Sequence, residues 1–148
     1  LRTPLYGHPD APLAAYRPAP DALTQDHPGR QGLVELPLSA VRLGGTNLPV
    51  AGGVYLRALP RRWWLHLLRC VNEQGRPFVV YLHPWEADVA TPRVPRLGLV
   101  GRVGTYYGLA GTLLKLEGLL EAFRLAPIRE VLRLPTRRAA PAETQGAA

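Results

Sequence analysis

The stretch PRRWWLHLLRCVNEQGRPFVVYLHPWE, residues 60–86, predicts a helix followed by a strand. Pro60 suits the first position of a helix, where its missing N–H costs nothing, and Gly75 is a typical helix stop. Between them, apolar residues recur at the helical spacing i, i+3, i+4, i+7, at Trp64, Leu67, Leu68 and Val71. The apolar run 78–82 is β-branched and aromatic and does not alternate, which predicts a strand buried on both faces. A buried helix and strand in succession predict an α/β layer arrangement.

The segments on either side of this stretch predict one domain over residues 1–134. Residues 1–30 hold six prolines after position 3 and read as an irregular Pro-rich arm. Short β-like runs at 33–36 and 40–43 are broken by Gly44-Gly45, and Gly52-Gly53 indicates a tight passage of the backbone. The following elements are a loop over 83–105, a second helix, a short helix over 127–132 and a disordered tail over 135–148. The second helix has one predicted apolar face, formed by Leu109, Leu113, Leu116, Leu120 and Phe123.

Composition excludes several classes of protein. The chain has 148 residues, with 47 % hydrophobic and 20 % charged residues, as in an ordinary globular domain. The net charge is +7, but the basic residues occur in scattered pairs without interleaved aromatic residues, so we expect no nucleic-acid partner. A single cysteine excludes a disulfide framework within the chain. No apolar run approaches the roughly 18 residues of a membrane span. The start lacks a methionine and a signal peptide, so we expect a fragment or processed chain that is cytoplasmic.

The histidines do not predict a metal site within this chain. Four are present, no two of them three or four residues apart, and the sequence contains no Asp-Asp pair. We expect His66, in the Trp-rich helix, to be a partly buried structural residue. We expect His8 and His27, in the arm, to face solvent.

His83 is the strongest candidate for a catalytic group. It ends the predicted strand, and α/β folds place active sites at the carboxyl ends of their strands. An ordinary imidazole titrates at about pH 6.5, so it can exchange a proton at neutral pH. Two interpretations stay open, general acid–base catalysis and a histidine that merely caps the strand. Trp85 can stack on a sugar ring or close the core. Glu86 and Asp88 can orient His83 or hold the loop through backbone N–H groups, and we favour the second role.

Several segments together resemble a known family. The motif YLHPWE at 81–86, followed by Asp88, Pro92 and Arg93, resembles the C-terminal signature of exosortase-associated polysaccharide deacetylases. These enzymes belong to the NodB-homology group, carbohydrate esterase family four, and carry a separate C-terminal domain of unknown function. LPVAGGVYLRALP at 48–60 is similar to the family's Gly-Gly-Gly-Tyr-Phe-Arg segment. YGHPDAP at 6–12 is similar to the segment after its third motif, and the resemblance covers residues 5–132.

The resemblance implies a fold, a reaction and site residues. The fold would be the C-terminal part of a distorted (β/α) barrel, incomplete in this chain. The substrate would be a bacterial exopolysaccharide carrying N-acetyl sugars, deacetylated during its biosynthesis with a zinc-like divalent metal in the full-length enzyme. His83 matches the histidine that protonates the departing amine, and a general acid typically contributes about 10²–10⁴-fold to the rate. Leu82 matches the leucine of the acetyl pocket. Tyr55, Arg57 and Trp85 would bind substrate.

The chain also departs from the family pattern. The Asp-Asp, His-x-x-x-His and third motifs, which supply the metal ligands and the base, are absent from it. Within the matched region, Val54 and Leu56 replace Gly and Phe, and Gly104, Thr105 and Gly108 replace Arg, His and Asn. We therefore expect the C-terminal portion of a deacetylase that is inactive without its missing N-terminal half. Two alternatives stay open, a non-catalytic glycan-binding or interaction module and a truncated product without a stable fold.

Overall fold

A computed structural model of the chain describes residue 8 and residues 10–135. These residues form a mixed helix and strand fold with a two-stranded antiparallel sheet, which agrees with the predicted α/β class. In chain order the elements are β1 (Ala40–Leu43), β2 (Thr46–Pro49), α1 (Gly53–Ala58), α2 (Arg61–Glu73), α3 (Leu99–Tyr106), α4 (Thr112–Ala122) and α5 (Ile128–Val131). Short 3₁₀ turns lie at Pro84–Ala87 and Leu109–Gly111. No helix in this described part is long and apolar enough to cross a membrane.

The sheet is a hairpin closed by the Gly44-Gly45 turn. Both glycines have positive φ, 53° and 83°, which the tight turns joining twisted strands require. The predicted strand at 40–43 and its glycine break are therefore confirmed. The run 33–36 contributes a single bridge, between Glu35 and Tyr16, and is not a strand.

Helix α2 lies over the hydrophobic core as its spacing predicted. Trp64, Leu68 and Val71 are completely buried, and the Trp64 indole N–H donates to the carbonyl oxygen of Val50 at 3.0 Å. The helix begins directly after Pro60, and Gly75 with φ 74° follows its end. The predicted helix and its stop are confirmed.

The prediction of a strand buried on both faces at 78–82 is wrong. The segment is extended, but it forms a single bridge, between Tyr81 and Gly52. The Val79 N–H donates to the Ser39 hydroxyl and not to the backbone of a neighbouring strand. Alternate side chains (Phe78, Val80 and Leu82) pack against the core, while Tyr81 is 41 % exposed. The run is therefore an extended segment that pairs with its neighbour over one bridge, and none of its five residues is fully buried.

Two predictions for the C-terminal half are also wrong. The predicted loop over 83–105 contains α3. The predicted apolar face of the second helix is wrong at Leu113 and Leu120, which are exposed, whereas Leu109 is buried and Leu116 and Phe123 pack against the core as predicted. The buried residues of α4 are Thr112, Gly118 and Leu119.

Gly118 explains the unexpected face of α4, because the Arg61 side chain lies against it. A Cβ on Gly118 would be 3.0 Å from Arg61 Cδ, so the helix approaches α2 through its smallest residue. The short last helix following Pro127 is confirmed as α5.

The arm is irregular over its described residues, as predicted, and it packs on the body of the molecule. Tyr16 is buried, and the Arg76 guanidinium donates to the carbonyl oxygens of Leu13 and Ala40, both at 3.0 Å. Burial lowers the pKa of Arg76. The predicted disordered tail lies, apart from Pro135, outside the described residues.

Candidate functional site

A cleft of about 360 Å³ opens where the start of α1, the extended segment before Pro84 and helix α3 meet. Its walls combine glycines with aromatic rings and one imidazole. The ring-bearing side chains come from two distant parts of the sequence, Tyr55 from one and Tyr81, His83 and Trp85 from the other. Gly101, Gly104 and Thr105 form the α3 wall. Three of the predicted site residues, Tyr55, His83 and Trp85, therefore line the same cleft.

The Pro84–Ala87 turn holds His83 at the mouth of this cleft. The His83 carbonyl accepts the Glu86 N–H at 2.9 Å, and the His83 N–H donates to Glu86 Oε2 at 3.0 Å. The imidazole remains exposed. Its ring lies edge-on to Tyr81 at 5.7 Å between centroids and nearly parallel to Trp85 at 6.1 Å. The turn thus fixes the histidine backbone and leaves its ring accessible.

A buried ion pair lies beneath these rings. Arg57 Nη2 and Nε donate to Glu86 Oε1 at 2.9 and 3.2 Å, and both side chains are almost inaccessible to solvent. The remaining guanidinium N–H groups donate to backbone carbonyls at the end of α3, those of Gly104 at 2.7 Å, Thr105 at 3.3 Å and Tyr107 at 2.7 Å. A buried charge is tolerated only when it is paired and hydrogen-bonded, and Arg57 meets both conditions.

Gly53 is required by the position of the Glu86 carboxylate. A Cβ on Gly53 would overlap both carboxylate oxygens. The tight backbone passage predicted for Gly52-Gly53 is therefore confirmed, and its cause is the close approach of α1 to Glu86.

Two predicted site residues take other positions. Arg57 lies below the cleft, where protein acceptors engage its guanidinium, and Leu82 packs against the hydrophobic core. Their assignment to substrate binding stays a prediction. Glu86 and Asp88 both hold the loop through backbone N–H groups, as favoured, because Glu86 accepts the His83 N–H and Asp88 Oδ1 accepts the Ala90 N–H at 2.8 Å. The Glu86 contact is made to His83 itself, so holding the loop also places the His83 backbone.

The Arg57–Glu86 pair itself was not predicted. Its partners are 29 residues apart, and no local spacing connects them. The one available signal was an arginine inside a short, otherwise apolar segment, GVYLRALP.

The remaining histidines lie away from the cleft. His66 is exposed, which makes its predicted partial burial wrong, and its ring lies 3.7 Å from Cys70 Sγ. His27 is half-buried, not solvent-facing, whereas His8 is exposed as predicted. Within residue 8 and residues 10–135, no three histidine, cysteine or carboxylate side chains come together to hold a metal ion.

Comparison with known proteins gives a family but no activity. Residues 1–133 match a domain of unknown function, DUF3473. Neither a search of curated proteins nor a search of solved structures returned a match. Because the match spans most of its length, the chain belongs to the DUF3473 family.

Proposed function

We propose that this chain is the C-terminal part of a metal-dependent polysaccharide N-deacetylase in which His83 is the general acid. The supporting observation is the cleft, which gathers an exposed imidazole and three aromatic rings from separate segments. The proposal includes the finer features of the resemblance, a NodB-homology barrel and a cytoplasmic, exosortase-associated role in exopolysaccharide biosynthesis. The partner is a polysaccharide that carries N-acetyl sugars.

The chemistry of amide hydrolysis explains why such a cleft needs His83. Water adds to the acetyl carbon and the C–N bond breaks, giving acetate and an amine. The amine cannot leave as an anion, so its nitrogen must receive a proton as the bond breaks. A protonated ring nitrogen of His83, exposed at the cleft mouth, can deliver that proton.

The aromatic rings suit a carbohydrate substrate. Tyr55, Tyr81 and Trp85 line the cleft, and aromatic side chains are the kind on which the C–H face of a pyranose can lie. The cleft volume, about 360 Å³, falls at the lower end of the range for small-molecule sites. A cleft of this size fits a short part of a glycan chain, as expected for an enzyme that acts along a polymer.

The described residues do not fit a divalent metal, because no three suitable ligands converge among them. The role proposed for this chain is therefore limited to holding the sugar and donating the proton. The metal ligands and the base are assigned to polypeptide upstream of these segments, as in the family that the chain resembles.

The test combines the upstream DNA with an assay of acetate release. We expect an Asp-Asp and a His-x-x-x-His motif upstream, in frame or separated by a frameshift, and acetate release from N-acetylated oligosaccharide by the joined protein. In that protein, His83→Ala should lower kcat by about 10²–10³-fold with little change in KM, since the proton is delivered mainly in the transition state. His66→Ala, which changes an exposed histidine outside the cleft, is the matched control. An unchanged kcat in His83→Ala would contradict the proposal.

A second candidate function, a non-catalytic glycan-binding module, is favoured by the aromatic cleft together with the lack of a metal-ligand cluster among residue 8 and residues 10–135. It predicts no deacetylase motifs upstream and no acetate release. It also predicts that the chain binds N-acetylated oligosaccharide, with binding lost in Trp85→Ala and retained in Trp63→Ala. Titration calorimetry on these two variants separates the two functions.

A further inference from the structure

We propose that the Arg57–Glu86 ion pair is a positioning unit that sets the geometry of both rings at the cleft mouth, His83 and Trp85. The kinetic part of its test rests on the proposed function. The structural part, the positions of the two rings, rests on the contacts of the ion pair alone. Arg57 does not line the cleft, and the Glu86 carboxylate at its wall is already engaged by Arg57 and by the His83 N–H, so neither is assigned a part in the reaction. They act through the residues they hold.

Each end of the Glu86 carboxylate has its own partner. Oε1 accepts from Arg57, and Oε2 accepts the backbone N–H of His83 at 3.0 Å. Because both oxygens belong to one rigid group, the position of Arg57 determines where the His83 backbone lies.

Trp85 is tied to the same arginine. The Arg57 guanidinium carbon lies 5.3 Å from the centroid of the Trp85 ring, within the range of a cation–π contact. Trp85 in turn lies within 10° of parallel to the His83 ring. One guanidinium therefore acts on the imidazole by two routes, through Glu86 and through Trp85.

The pair also fixes the opposite wall of the cleft. Arg57 belongs to α1, Glu86 to the Pro84–Ala87 turn, and the carbonyls of Gly104 and Thr105 to α3. Three chain segments that surround the cleft thus converge on one guanidinium. Lys115 supports this end of α1, because its ammonium donates to the carbonyl oxygens of Leu56, Arg57 and Leu59 at 2.7–2.9 Å.

Stability alone does not account for the pair. Replacing a buried ion pair by well-packed apolar residues is often neutral or stabilising, so an apolar pair could fill this space. What an apolar pair cannot provide is an acceptor for the His83 N–H together with a donor for three α3 carbonyls. The contacts therefore point to geometry as the function of the pair.

Gly53 offers a way to displace Glu86 without removing any polar group. A methyl group there would overlap the carboxylate, so Gly53→Ala should push Glu86 away from the His83 N–H. Glu86→Gln changes the charge and keeps the size. Gly29→Ala is the matched control, since a Cβ at Gly29 meets nothing within 4 Å and its φ is not positive.

The experiment measures ring geometry and turnover on the same variants. In the full chain with labelled histidine and tryptophan, Gly53→Ala and Glu86→Gln should shift the NMR signals of the His83 amide, the His83 ring and the Trp85 ring. Gly29→Ala should leave them in place. In the joined protein that releases acetate, both variants should lower kcat by about 10²-fold, the cost of a misplacement near 1 Å.

The outcomes separate this inference from the proposed function. Shifted ring signals in a protein that never releases acetate support the positioning unit and overturn the deacetylase. Unchanged His83 and Trp85 signals in folded Gly53→Ala and Glu86→Gln overturn the positioning unit, whatever the activity. If both variants unfold, Arg57→Lys keeps a positive charge beside Glu86 but removes the planar guanidinium that joins Glu86, Trp85 and the α3 carbonyls. It should show the same ring shifts, and native His83 and Trp85 signals in it overturn the inference.

Discussion

Helices α2 and α3 are both amphipathic, yet the large apolar side chains of α2 face the core whereas those of α3 face solvent. In α2 the large apolar residues face the core, and Trp64 is completely buried. In α3 the small residues Gly101 and Gly104 face the cleft, while Leu99 and Val100 are 77 % and 87 % exposed. Apolar periodicity therefore identifies a helix but does not by itself identify the face that is buried.

The two helices are also held by different forces. α2 is attached by hydrophobic burial, about 1.5–3 kcal/mol for each large side chain. α3 contains no buried residue and is attached at its C-terminal end by the Arg57 guanidinium. The Tyr106 hydroxyl adds a second attachment, accepting the Val94 N–H at 2.8 Å and donating to the carbonyl oxygen of Pro92 at 3.0 Å. Polar contacts to the backbone hold α3 beside the cleft without a hydrophobic seam.

The largest loss of stability should come from a substitution on the buried face of α2. Trp64→Ala removes a fully buried indole and its hydrogen bond to Val50, and should destabilise the fold by about 3–5 kcal/mol. The neighbouring Trp63 is 67 % exposed, so Trp63→Ala should cost about 0.5 kcal/mol or less. Urea unfolding of the two variants measures the difference. Equal losses of stability in the two variants would contradict the structure, in which one face of α2 is buried and the other is exposed.

The same comparison shows how much the sequence could predict. α2 and the hairpin were predictable, because their signals are local: an apolar period, a glycine pair and a proline at the helix start. Two ring residues of the cleft were predictable as well, since His83 and Trp85 lie two positions apart in one short motif.

What was missed depends on long-range contacts. α3 was not predicted because prolines at 92 and 95 made the segment read as a loop. The helix is held by hydrogen bonds from Arg57, which lies 47–50 residues earlier in the chain, to the carbonyls at its end. The predicted face of α4 was wrong at Leu113 and Leu120, because the Arg61 side chain packs against Gly118 and makes a glycine the point of closest approach to α2. The strand at 78–82 was wrong because five consecutive apolar residues do not reveal how many neighbours an extended segment has.

An intermediate effect should come from Gly108, which joins α3 to α4. Its φ is 73°, and a Cβ there would be 2.7 Å from the carbonyl oxygen of Arg57. Gly108→Ala should therefore cost the strain of a left-handed residue, about 1–2 kcal/mol, and also displace backbone beside the cleft. Gly45→Ala is the matched control, because Gly45 has a φ of 83° but open space around its Cβ position.

Thermal unfolding of both glycine variants separates conformational strain from the close approach. A larger loss in Gly108→Ala than in Gly45→Ala indicates that the chain leaving α3 is held tightly against α1. Equal losses would reduce Gly108 to an ordinary turn glycine and weaken the view that α3 is fixed by its C-terminal end.

The smallest effect should come from the outward face of α3. Val100 is 87 % exposed, so Val100→Ser removes almost no buried apolar surface and should change the free energy of unfolding by no more than about 0.5 kcal/mol. The same substitution at Val71, which is completely buried in α2, combines a cavity with an unpaired hydroxyl and should cost about 2 kcal/mol or more. Because the two changes are chemically identical, the difference in urea midpoints isolates burial as its cause. A loss at Val100 comparable to that at Val71 would show that the outward face of α3 is covered in solution, and the contrast between the two helices would then disappear.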